Sequence, residues 1–338
     1  MEWKALVLVL VLGLGLVVSG CTQTQTQTQQ TQQTQTPSQT QVQEITIYTG
    51  GTGGIYFPLG SAYAQILSKN GIPAKAVTSG ASVANAKAIE SGDAQATLTQ
   101  NDVLYYAYNG LYMFEGKPIK KYRGVATLYP EVVHILVRKD SDIMTLQDLE
   151  GKKVAVGAPG SGAAVGAEQV LRAAGLWDKV EKVWQDYNEG AQSLKLGQVD
   201  AVVFVSGVPT PAFSQISLQT PIRWLPVPDE VYEKLKKQGY IFYVKFTAPK
   251  DSYNGVDEDV PTIAVKATLA VSADLPDDVV YKMTKLLFEN LDELRAANER
   301  ARYISLDTAL EGMSAPLHPG AIKYYEEKGI TIPDELKP

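Results

Sequence analysis

Ile45-Thr-Ile-Tyr48, Thr49-Gly-Gly-Thr-Gly-Gly54 and the stretch from Pro58 to Lys69 decide the fold. The first segment is β-rich and the second is a glycine loop. The third places Leu59, Tyr63, Ile66 and Leu67 at helical spacing and stops at Asn70-Gly71. A strand around Lys75 to Thr78, a helix from Ser82 to about Ser91-Gly92 and a strand from Ala94 to Thr99 follow. Strand, loop, helix, strand, helix, strand implies a parallel sheet and an α/β fold.

The same order recurs about a hundred residues later. Lys153 to Val156 reads as a strand, Gly157-Ala-Pro-Gly-Ser-Gly162 as a second glycine loop, and Ala164, Ala167, Leu171 and Ala174 as a helix face ending at Gly175. Val180 to Trp184 leads into a helix ending at Leu196-Gly197, and Asp200 to Val205 is again a strand. Gly54 lies 38 residues before Gly92, and Ser161 lies 36 before Gly197. A repeated α/β unit predicts two similar lobes, and ligands of open α/β sheets bind beyond the carboxyl ends of the strands, here between the lobes.

Composition narrows the chemistry. The chain has 338 residues, a net charge of -6, one Cys and two His. One Cys excludes a disulfide framework and a Cys-built metal site, and two distant His give little for a metal cage, so no metal and no cofactor are expected. The negative balance argues against nucleic acid as partner. Lys4 and the apolar run Ala5–Val18, about 14 residues where a span needs about 20, read as a signal peptide over residues 1–20. Val18-Ser-Gly-Cys21 resembles the lipobox of prokaryotic lipoproteins, which implies lipidation at Cys21. Residues 22–43 are almost wholly Thr and Gln and have no apolar face to bury, which predicts a disordered tether after Cys21 of roughly 25 to 30 Å.

Neither glycine loop meets a nucleotide motif. Tyr56 stands where the dinucleotide fingerprint needs its third Gly, and no acid occurs between Glu44 and Glu90 to hold a ribose. Gly157 and Gly162 have P-loop spacing, but Ala163 and Ala164 replace Lys and Ser/Thr. What survives is a pair of anion cradles built from backbone N–H groups at helix starts. No Arg or Lys lies between Gly50 and Ser68 or between Val154 and Val170, and Arg123 and Arg138 read as an exposed turn and a strand end. No Ser-His-acid arrangement surrounds Ser161; His134 lies in an apolar strand, where a structural role fits best, and His318 precedes a helix it could cap.

The candidate binding residues are Thr52, Gly53, Gly54, Ile55, Tyr56, Gln100, Asn101, Ser161, Gly162, Ala163, Val208 and Pro209. Tyr56 either packs in the core or reaches ligand with its hydroxyl; Gln100 and Asn101 end a strand at the cleft; Val208 and Pro209 end the corresponding strand of the second lobe. Asp102 reads as an N-cap, Asn85 as a brace for the loop before it, and Tyr105-Tyr-Ala-Tyr108 as a packing face.

These motifs, Ile45 to Gly60, Ser82 to Asn85 with Ser91-Gly-Asp93, Gln100-Asn-Asp102, Tyr129-Pro-Glu131 with His134, Asp148 to Gly162 and Pro316-Leu-His-Pro-Gly320, together resemble the TAXI family of solute receptors of TRAP transporters. The resemblance implies a two-lobed type-II periplasmic binding protein architecture, with lobe one over 44–126 plus 260–338 and lobe two over 127–259. Hinges would lie near Thr127–Tyr129 and Val260–Thr262. It also implies an extracytoplasmic receptor, not an enzyme, that captures glutamate, glutamine or a related dicarboxylate and delivers it to an ion-driven membrane permease. Two other readings stay open: a binding protein for an ATP-driven importer or sensor, and a secreted enzyme using Asp102 with Glu131 or Asp186.

Overall fold

The computed structural model describes residues 44–338, so the signal segment, Cys21 and the tether to residue 43 lie outside the described residues. The first repeat is β1 (Ile45–Tyr48), α1 (Tyr56–Lys69), β2 (Ala74–Val77), α2 (Ser82–Ser91) and β3 (Ala96–Gln100). After α3 (Asn101–Asn109), the chain runs into β4 (Tyr122–Arg138). The second repeat is β5 (Lys153–Ala155), α4 (Gly162–Ala173), β6 (Glu181–Val183), α5 (Tyr187–Leu196) and β7 (Ala201–Ser206). There follow α6 (Pro211–Ser217), β8 (Ile222–Trp224), α7 (Asp229–Lys237), β9 (Val244–Ala248) and β10 (Val260–Ser272). Three helices end the chain: α8 (Asp277–Glu289), α9 (Leu291–Ala297) and α10 (Pro319–Glu327).

The strand order is β2-β1-β3-β10-β4-β7-β5-β6, with β8 beside β4 and β9 beside β10. Within each repeat the first strand sits between its two partners and is parallel to both, β2-β1-β3 in one and β6-β5-β7 in the other. The repeat read from the sequence is therefore a repeat of sheet topology. Gly92 and Gly197 match as well: both end their helices in the left-handed conformation, with φ of 85° and 68°, which glycine adopts without steric cost.

The two repeats are joined through β4 and β10, long antiparallel strands paired side by side. Their residues change core along their length. Val125, Ala126, Leu128 and Tyr129 pack in the core of the first lobe with Ala267 and Leu269, while Val133, Ile135, Ile263 and Val265 pack in that of the second. On β10 the change falls between Val265 and Ala267, beside a register shift between Lys266 and Thr268. β10 is one unbroken strand, whose residues pack with the second lobe until its pairing slips. The last helices return to lobe one, where Met283, Leu287, Leu294, Tyr324 and Tyr325 join its core.

Candidate functional site

Three helix starts meet between the lobes. Ile55-Tyr56 opens α1, Ala81-Ser82 opens α2, and Gly162-Ala163 opens α4; all line one narrow cavity of about 20 Å³, about the space of a single water. The first N–H groups of each helix have no acceptor in their own helix and carry the positive end of its dipole. The cavity is thus lined by helix N-termini from both lobes, a setting whose field favours negative charge. Among the described residues no Lys, Arg or His lines it, and Arg123 and Arg138 lie elsewhere, on Lys120 and Leu194 carbonyls.

The glycines allow the lobes to come this close. A Cβ on Gly162 would lie 2.2 Å from Gln100 Oε1 and 2.7 Å from Ser82 Oγ. Conversely, a Cβ on Gly53 would lie 2.5 Å from Asn188 Oδ1, and one on Gly54 2.9 Å from the Tyr187 ring. Each loop therefore needs glycine where the opposite lobe touches it. Only Gly157 and Gly160 of these loops need it for positive φ, at 89° and 80°.

One carboxyl enters the cavity, that of Glu131 on β4, only 3% exposed. Tyr56 donates its hydroxyl to Glu131 Oε2 at 2.6 Å. Burial pushes the Glu131 carboxyl up to about 8; the Tyr56 hydrogen bond opposes this, and the nearby Asp102 charge adds to it. Asp102, 1% exposed, is pushed by burial to about 7, with some lowering by the backbone N–H groups of Val103 and of Asp102 itself. Neither of its carboxylate oxygens has a partner of hydrogen-bonding geometry. Asp102 is not the expected N-cap: Gln100 holds that position, and Asp102 sits inside the first turn of α3.

The other expected site residues divide. Gly54, Ile55, Tyr56, Gln100, Gly162 and Ala163 line the cavity, and Gln100 Oε1 is buried without a partner. Ser161 borders an adjoining cavity of about 140 Å³ that shares Gly51, Ala81, Ala163 and Tyr187 with the first. Thr52 and Gly53 touch the second lobe instead: Thr52 Oγ1 accepts from Asn188 Nδ2 at 3.3 Å, and the Gly53 carbonyl accepts from Ala212 N at 3.2 Å. The Asn101 side chain is taken up within the scaffold, donating to the Gly312 carbonyl at 2.9 Å and accepting from Lys266 N at 3.0 Å.

Val208 and Pro209 line a separate cavity of about 200 Å³ with Arg300 and Tyr303. The reason lies one residue earlier, where Ile55, Tyr129 and Arg300 close on Gly207 and separate the following turn from the cleft. Ser206, Tyr187 and Glu131, which are not among the candidate binding residues of the sequence, also line the cavity. Asp186-x-x-Glu189 was the available signal for Tyr187, since that capping box fixes the start of α5.

The remaining polar residues brace the scaffold. Asn85 is fully buried, donates to the Thr49 and Leu98 carbonyls at 2.8 Å each, and accepts from Ser79 Oγ at 2.6 Å. His134 pairs with the Val132 carbonyl and Tyr253 hydroxyl and stacks on Trp224; burial pushes it down to about 3, so it is neutral. His318 caps α10 by accepting from Gly320 N.

The sequence pattern described as the NMT1-like family matches residues 47–329. Among solved structures, the chain is similar to the periplasmic aliphatic sulphonate binding protein SsuA from Escherichia coli, with 17% identity over 84% of this chain and 82% of that one and a TM-score of 0.44. It is also similar to the ligand-binding core of GluR0 from Nostoc punctiforme, solved with L-glutamate, with 13% identity over 77% and 98% and a TM-score of 0.46. A third is the substrate binding protein of an amino acid ABC transporter, with 14% identity over 78% and 99% and a TM-score of 0.47. The architecture of this chain is mixed α/β, with parallel strand triplets at either end of one sheet.

Proposed function

We propose that this chain, which belongs to the NMT1-like family, is an extracytoplasmic solute receptor that closes its two lobes on a small carboxylate-bearing ligand with an amino group. The observation that carries this reading is the convergence of three helix starts and one buried carboxyl from both lobes. A ligand carboxylate fits the N–H groups at Tyr56, Ser82 and Ala163; a ligand ammonium fits Glu131, whose carboxyl would ionise when that charge arrives. Charge-assisted hydrogen bonds of about 1.5 to 3 kcal/mol each, formed with both lobes at once, favour the closed form. A ligand larger than water needs the lobes to part before it enters, and β4 and β10 are the two strands that would flex.

The receptor would deliver its solute to the permease of a TRAP transporter, and the resemblance to TAXI receptors supports this. So does the leader: a lipidated Cys21 followed by a long polar segment suits a receptor held at the outer face of the cell membrane. The test is titration calorimetry with amino acids and dicarboxylates, paired with small-angle scattering. A ligand that binds should reduce the radius of gyration; saturating binding without contraction would sink the capture mechanism.

One observation favours a second reading, a secreted enzyme: Asp102 and Glu131 are both pushed toward neutrality, as paired acids of catalytic sites are. Against it, Asp102 does not line the cavity, so the two acids do not face the same solute there. Recovery of the bound ligand chemically unchanged after prolonged incubation separates binding from turnover.

A further inference from the structure

We propose that the cavity of about 140 Å³ beside the cleft is the side-chain subsite of the bound solute, and that Asp186 makes it select a hydrogen-bond-donating end, an amide, ammonium or guanidinium, over a second carboxylate. This rests on the receptor reading and goes further by naming what the ligand carries beyond its carboxylate and amino group. The two cavities share Gly51, Ala81, Ala163 and Tyr187, so a substituent leaving a ligand held at the helix starts passes directly into the larger one.

The walls there are small or apolar, Gly80, Ala81, Gly157 and Ala158 with the rings of Tyr187 and Phe204. Their polar groups are mostly engaged. Ser79 Oγ donates to Asn85 Oδ1 at 2.6 Å and accepts from Ala81 N at 3.0 Å. Ser161 Oγ donates to the Ala158 carbonyl at 2.8 Å and accepts from Ala164 N at 3.0 Å. Ser161 N in turn donates to the Ala158 carbonyl, and Ala84 N to the Gly160 carbonyl. The helix donors on this side are therefore used within the protein, unlike those aimed into the cleft.

Asp186 differs. Its Oδ1 accepts from Glu189 N at 2.9 Å as the cap of α5, which leaves Oδ2 facing the first glycine loop, 3.8 Å from where a Cβ of Gly51 would lie. Glu189 folds back to accept from Asp186 N at 3.0 Å, adding a second negative charge at this end. Among the described residues no Lys, Arg or His lines the cavity to offset either. A distal carboxylate would face like charge in a confined space, whereas a distal donor would complete Oδ2.

The experiment is titration calorimetry of L-glutamine, L-lysine and L-glutamate against the wild type and Asp186→Asn, with thermal melting of both proteins. Asparagine caps a helix as well as aspartate does, so the variant should melt as the wild type. The expected result is that glutamine or lysine binds at least about tenfold more tightly than glutamate, and that Asp186→Asn shrinks this ratio severalfold. Glutamate binding most tightly, or a ratio unchanged in Asp186→Asn, overturns the subsite while leaving the receptor reading standing. Binding of none of the three overturns the amino-acid reading of the cleft and the subsite with it.

Discussion

Replacing Gly162 by alanine adds one methyl group at the point where the lobes are closest. In the closed form that carbon would lie 2.2 Å from Gln100 Oε1, about 0.8 Å inside the 3.0 Å that Cβ contacts respect, with Gln100 Cδ at 2.5 Å and Ser82 Oγ at 2.7 Å. Gln100 and Ser82 are 2% and 1% exposed, so neither has open space into which to retreat. The lobes must then stop short by a large part of an ångström, enough to lengthen hydrogen bonds past useful range from one side of the cleft. Losing one charge-assisted bond of about 1.5 to 3 kcal/mol predicts a rise in Kd of roughly tenfold to somewhat over a hundredfold. Gly162 is the first residue of α4 and carries no positive φ, so alanine should leave the fold intact or slightly stabilise it. The assay is calorimetry beside a thermal melt, with scattering to follow contraction. Wild-type affinity and full contraction in Gly162→Ala would refute the argument that glycine is there for lobe approach.

Two further outcomes are expected. Because burial raises Glu131 from an ordinary 4.5 to about 8 and Asp102 from 3.8 to about 7, the closed form holds protons that the unfolded chain releases. Their contribution to stability is full below their unfolded values and is lost as pH rises to about 8 and about 7, by at most about 1.4 kcal/mol per pH unit for each group. Denaturant titrations from pH 4.5 to 8 should show that decline and Glu131→Gln should flatten it; a level wild-type profile would contradict the assignment. Cys21→Ala should release the protein from membranes in cell fractionation while calorimetry gives an unchanged Kd, and persistent membrane retention would count against the lipid anchor.

The α/β repeat was legible because it is written in local terms. Apolar spacing, the two glycine loops and the helix stops at Gly92 and Gly197 depend on neighbours a few residues away, and they mark elements whose sheet orders, β2-β1-β3 and β6-β5-β7, correspond. Candidate site residues at helix starts were legible for the same reason, since an unpaired first turn follows from chain direction alone. The strand-end rule makes Asn101 and Val208 candidate ligand contacts as well. What placed them otherwise was the company they keep, Gly312 and Lys266 for one, and the packing of Ile55 and Arg300 on Gly207 for the other.

The sequence by itself determined two α/β units, their glycine loops and the absence of a cation within those loops. Only the tertiary structure decided that Glu131 faces three helix starts, that Asp102 is buried with both oxygens unpartnered, and that the glycines of each lobe are there for the other. The physical reason is range. Helix periodicity and capping act over a few residues, whereas desolvation of a carboxyl and contact across a cleft are set by atoms brought together from positions as distant as Tyr56 and Glu131, or Gly162 and Gln100.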